Sequence, residues 1–189
     1  MKARLAGAAL AAGMACVFTL APAADRARAA PDRQLQSRAD GAGTTTYWGD
    51  GASYEIVGPG VTVFFLKRDD GAIVPPMIRV AYVGERWINV REVTFTVGER
   101  TYGPFADLYS KPARIEAGAS LVVEALLFNV DSDEKWQMLE GIAEAADLGR
   151  PVIAVFEADA PYGIELDRAT KRAISRVVRG FRDLSARTD

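Results

Sequence analysis

The sequence predicts an α+β domain: a mainly antiparallel sheet, or two packed sheets, with two helices in the C-terminal half at about 132–147 and 167–185. Three observations carry that prediction. Short β-branched and aromatic runs alternate with turn chemistry from Val61 to Tyr102. Two apolar runs, Leu121 to Val130 and Pro151 to Phe156, have the character of interior strands covered on both sides. Two stretches with helical spacing follow those runs, and the order of strands, then helix, strand and helix suits helices laid on one side of an antiparallel sheet.

The chain opens on a basic tetrapeptide, Met1-Lys2-Ala3-Arg4, and an uncharged apolar stretch from Leu5 to Leu20, the order of regions in a signal peptide. That stretch falls short of the ~20 strongly apolar residues a membrane span needs. Small residues offer cleavage after Ala23 or after Ala29, while Cys16, preceded by Gly13-Met14-Ala15, leaves lipid attachment open as the alternative. The expected division is a signal peptide at 1–23, a disordered tether at 24–46 and one domain at 47–189. The tether reading rests on its near lack of large apolar side chains.

Within the domain, Val61 to Leu66 reads as a strand, Arg68-Asp69-Asp70-Gly71 as a turn, and Pro75-Pro76 as a strand entrance or edge. Met77 to Val83 and Trp87 to Val97 read as a hairpin around Gly84-Glu85-Arg86. A bulge at Arg91-Glu92 would bring Ile88, Val90, Val93, Phe95 and Val97 to one inner face. Gly98-Glu99 reads as a second tight turn. Asp131 with Glu134 suggests a capping-box start for the first helix, which runs through Trp136, Leu139, Ile142, Ala143 and Ala146 to Gly149. Asp167 caps the second, whose apolar stripe includes Ala173, Ile174, Val177, Val178, Phe181 and Leu184.

The segments Val80-Ala81-Tyr82-Val83-Gly84-Glu85-Arg86-Trp87, Val93-Thr94-Phe95 and Leu139-Glu140-Gly141-Ile142-Ala143-Glu144-Ala145 together resemble an uncharacterised bacterial exported domain across about residues 77–186. That group pairs a Tyr-x-Gly-x-x-Trp hairpin with a late helix, a strand and a final helix. The resemblance implies a fold and transfers no catalytic residue.

Absent residue types bound the chemistry. The chain has no histidine, and its one cysteine lies in the leader, which removes Ser-His and Cys-His pairs and His- or Cys-ligated zinc. No metal or cofactor is expected. Ser132-Asp133-Glu134-Lys135 fits an S-x-x-K pattern but reads as a helix cap, and Gly58-Pro59-Gly60 as a turn. Asp131, Asp133 and Glu134, or Glu157, Asp159, Glu165 and Asp167, could attract a hard cation, yet they read as caps and solvated loop acids. Glu124 stands alone in an apolar strand, so it must face solvent, pair with a cation or sit in a cleft as a candidate acid or base. Tyr47 and Trp48, with Tyr54, offer an aromatic platform or a flap over the core.

The last helix gathers Arg168, Lys171, Arg172, Arg176, Arg179 and Arg182 within roughly 140° of its circumference at about 100° per residue. Cleavage after Ala23 removes Lys2 and Arg4 and no acid, moving the net charge from −2 to −4, so nucleic acid is not an expected partner. The expectation is a periplasmic or secreted binding or accessory module of the cell envelope, without catalysis and without a membrane span in the mature chain. Arg168, Arg172, Arg176 and Arg179 would meet an acidic envelope protein or an anionic surface. The alternative is a carboxylate-dependent hydrolase or lyase acting on an envelope polymer through Glu124.

Overall fold

A computed structural model describes residues 35–50, 59–109, 113–117 and 121–187. The segment expected to be a signal peptide, with Cys16, and Tyr54 and Gly58 lie outside the described residues. Ten strands and two helices follow in the order β1 (Leu35–Ala39), β2 (Thr44–Gly49), β3 (Gly60–Arg68), β4 (Ile73–Gly84), β5 (Glu92–Val97), β6 (Arg100–Ala106), β7 (Ala113–Ala117), β8 (Leu121–Asn129), α1 (Asp133–Leu148), β9 (Val152–Glu157), β10 (Tyr162–Glu165) and α2 (Arg168–Ser185). They form an α+β fold of two antiparallel sheets, a six-stranded one in the order β1-β2-β3-β4-β8-β7 and a four-stranded one in the order β10-β9-β5-β6. No helix among the described residues is long and apolar enough to cross a membrane.

The helices follow from local chemistry. Ser132, in extended conformation, caps α1 by accepting from the Lys135 N–H, and Gly149 closes it at φ 69°. The cap is therefore Ser132 and not Asp131, which instead pairs with Lys135 at 2.7 Å. Glu134 does not reach back to the cap either; its carboxylate accepts the Gly103 N–H at 3.0 Å. That bond, and Pro104 beside it, blunt the free edge of β6. Asp167 caps α2 by accepting from Thr170 N–H at 2.7 Å.

Three sequence expectations give way. The hairpin around Gly84-Glu85-Arg86 does not form, because β4 pairs with β3 and β8 while β5 pairs with β6 and β9 in the other sheet. The inner set survives by another device: Ile88, Val90, Val93 and Phe95 are buried, but Ile88 and Val90 lie in irregular backbone before β5, with Asn89 left-handed at φ 53° between them, so strand phase does not link them to Val93 and there is no bulge at Arg91-Glu92. Second, β9 is covered on one face only, with Val152, Ala154 and Phe156 inward and Ile153 and Val155 exposed. Strand β8 does bury both faces, Val122, Leu126 and Phe128 on one and Val123 and Ala125 on the other.

Third, order begins well before Tyr47. β1 and β2 occupy most of the described part of the expected tether and extend the larger sheet beyond β3. Their anchorage is steric. A Cβ on Gly180 of α2 would stand 2.2 Å from Leu35 Cδ1, and a Cβ on Gly49 would stand 2.2 Å from the Ala173 carbonyl oxygen. The two glycines let the N-terminal hairpin press directly on the last helix.

Aromatic rings tie the layers together. Tyr47 stacks on Phe65 at 5.0 Å, Phe65 meets Phe181 edge-on at 5.5 Å, and Phe181 lies 5.3 Å from Trp136, so β2, β3, α2 and α1 share one chain of rings. Phe95, Phe105 and Phe128 join the two sheets, with centroid separations of 6.4 and 5.3 Å. Pairs of this geometry add ≈0.5–1.5 kcal/mol beyond their burial. Helix α2 lies against β2 and β3, α1 lies against β5 and β6, and the helices pack on each other.

Gly49→Ala places a methyl group against backbone that cannot swing away, and should lower unfolding free energy by roughly 1–3 kcal/mol, the usual range for overpacking. Urea denaturation checks this.

Candidate functional site

Glu124 is the most constrained acid among the described residues. It stands on β8 opposite Tyr82 of β4 and Arg114 of β7, and it is 0% exposed. One carboxylate oxygen accepts N–H groups of Ile88 at 2.5 Å and Asn89 at 3.0 Å, and the other accepts Val90 N–H at 2.9 Å. Arg114 lies 3.6 Å from the second oxygen, donates to Asn89 Oδ1 at 2.5 Å, and sets its guanidinium 5.4 Å from the centre of the Trp87 ring. Both oxygens are spent on the protein's own donors. The arrangement can lock the crossing between the sheets, and its full burial offers a substrate no access.

The Tyr82-Gly84-Trp87 motif belongs to the same corner. Tyr82 donates to the Arg86 carbonyl at 3.2 Å, and a Cβ on Gly84 would stand 1.8 Å from the Tyr82 hydroxyl, so the folded-back ring requires glycine there. Asp159 accepts from Asn89 Nδ2 at 2.5 Å and Arg91 at 2.8 Å. Those two bonds, the Asn89 one foremost, hold its carboxyl below the usual range.

The other candidates divide. Tyr47 belongs to the ring chain already described, and Trp48, next along β2, faces the other way beside Phe64, so the two do not form one platform. Among the described residues no three acids gather as a metal site. On α2, Arg176 pairs with Asp50 at 3.7 Å, Arg179 with Asp147 at 3.0 Å and Arg182 with Glu140, while Lys171 is buried and donates to the Arg150 carbonyl at 2.7 Å. Arg168 and Arg172 remain exposed without a partner among the described residues. Much of the basic face is therefore paired with the protein's own acids, Arg179 and Arg182 with those of α1, in contacts that stay open to solvent.

A cleft of about 740 Å³ opens where the β5–β6 turn meets α1. Its floor is Val97, Gly98, Gly141 and the hydroxyl of Tyr102. Gln137, Glu140 and Glu144 rise from successive turns of the helix, Glu99 and Arg100 from the hairpin, and Arg150 closes one end. Tyr102 is only 7% exposed, and its hydroxyl has no hydrogen-bond partner among the described residues. Arg150 lies 3.8 Å from Glu144. Sequence reasoning missed this place because the turn and the helix are some forty residues apart. One local sign was available: Gly141 in mid-helix costs roughly 0.5–1 kcal/mol relative to alanine, although a Cβ would find ordinary contacts at 3.4 and 3.7 Å.

No protein-family model matches the chain, and no curated protein or solved structure is significantly similar to it.

Glu124→Gln sets an amide N–H₂ against donors and should cost about 1–3 kcal/mol of stability, read by urea unfolding. Gly141→Ala should instead add roughly 0.5–1 kcal/mol. The Asp159 pKa is depressed in the folded state, so its contribution is present above the unfolded value near 3.8 and is lost as pH falls through the folded one. Asp159→Asn should flatten the acid limb of a stability–pH curve below about pH 4.

Proposed function

We propose that the protein is an exported, non-catalytic binding module of the cell envelope whose ligand seat is the cleft between the β5–β6 turn and α1. The observation that carries this reading is the Tyr102 hydroxyl, a polar atom on an otherwise buried side chain, left open at the floor of a cleft of ligand size. Export is inferred from the signal-like residues 1–23, and the envelope setting from that together with the resemblance over residues 77–186.

Occupation of Glu124 by three backbone donors supports binding over catalysis. A carboxylate-dependent hydrolase or lyase acting through Glu124 would need that acid to meet its substrate, and its complete burial opposes this. The pairing of Arg176 and Arg179 moves the expected docking face away from α2 and leaves Arg168 and Arg172 as its remnant.

The test is an NMR titration of the purified protein with soluble fragments of envelope polymers. Amide shifts clustered at Gly98, Tyr102 and Gly141 are expected. Shifts clustered around Arg168 and Arg172, no shifts with any fragment, or turnover of a fragment that Glu124→Gln abolishes would each overturn the reading.

A further inference from the structure

The chemistry of the cleft specifies more than its location. Its principal charges are already compensated by the protein: Glu140 by Arg182 reaching across from α2, and Glu144 by Arg150 at 3.8 Å. Glu99 and Arg100 are adjacent and opposite in sign. A charged ligand entering such a place would have to break one of these pairs or remain uncompensated. A neutral one would not.

The polar side chains of the lining that no ion pair takes are those of Gln137, Glu99 and Arg100. Carboxylate, guanidinium and carboxamide are planar groups, each presenting two or more donors or acceptors side by side, a spacing that suits a pair of vicinal hydroxyls. The Tyr102 hydroxyl adds one group that both donates and accepts, and it is unspent. Gly98 leaves the hairpin end of the floor without a side chain, while at Gly141 the Val97 methyl and the Tyr102 hydroxyl already close on the helix, so a flat ring is received against Val97 and that hydroxyl.

We propose that the cleft binds a neutral polyhydroxylated ligand, a segment of an uncharged oligosaccharide, with Tyr102 as its floor contact. This rests on the cleft being the ligand seat. It goes beyond that reading in naming the ligand's chemistry. The edge of β6 does not favour a peptide strand instead, since the Gly103 N–H is taken by Glu134 and Pro104 has none.

The experiment titrates the purified protein with three probes, tetra-N-acetylchitotetraose, a tri-lysine peptide and a tetragalacturonate, following amide shifts at 50 and 500 mM salt. The neutral oligosaccharide is expected to shift Gly98, Tyr102 and Gly141 with an affinity unchanged by salt, because no charge pairing is screened. Tyr102→Phe, which keeps the ring and its packing, should weaken it by roughly three- to tenfold, the loss of one hydrogen bond. Gly141→Leu, which fills the floor, should abolish it. If the lysine or uronate probe binds the cleft in a salt-sensitive way and the neutral one does not, the polyol assignment falls while the seat stands. If the neutral probe binds but Tyr102→Phe leaves its affinity unchanged, the floor contact is wrong. If no probe shifts the cleft, or the shifts map elsewhere, both are overturned.

Discussion

Three consecutive backbone N–H groups, those of Ile88, Asn89 and Val90, converge on one buried carboxylate, and the two-sheet arrangement depends on that convergence. The chain leaves the larger sheet at Gly84 and enters the smaller one at Glu92, so the crossing, which buries Ile88 and Val90 between exposed neighbours, has no strand ladder to receive those donors. Each buried donor left unpaired would cost about 1–3 kcal/mol. The left-handed Asn89 turns the three donors the same way, and Glu124 meets them all. The same donors, with Arg114 at the rim, offset the cost of burying the carboxylate charge. Sheet separation and acid burial are thus two sides of one arrangement.

How much of this could be read from the sequence follows from how local each cause is. Both helices were legible, since Asp167, Gly149 and the apolar spacing act within a few residues. The inner set Ile88, Val90, Val93 and Phe95 was legible for the same reason. Its hairpin was not, because two strand-like runs around a glycine-containing loop say nothing about whether they pair with each other or with strands from elsewhere. β1 and β2 were missed because their residues are mostly polar. What orders them is the notch at Gly180 and the face of Phe65, both far along the chain. Glu124 was correctly isolated as an anomaly, but its partners lie 34 to 36 residues earlier and only the fold brings them in.

The basic stripe on α2 illustrates the limits of reading charge from one element. Taken alone, six cations on one face suggest an acidic partner outside the molecule. The acids are largely supplied from within, by Asp147 and Glu140 of α1 and by Asp50 at the end of β2. Exposed pairs of this kind contribute little stability individually, with a median of ≈0–1 kcal/mol. Two of them, Arg179–Asp147 and Arg182–Glu140, bridge α2 to α1, the helix that walls the cleft.

The contact of Leu35 with Gly180, and of Gly49 with Ala173, joins the first described strands to the last helix. A chain synthesised from its N-terminus therefore cannot complete either layer early. The leading hairpin waits for the final eighteen-residue helix, and β5 waits for β9. Contacts so distant in sequence carry the loop-closure cost that slows folding. A product truncated before Arg168 would leave uncovered the face of β2 and β3 against which α2 packs.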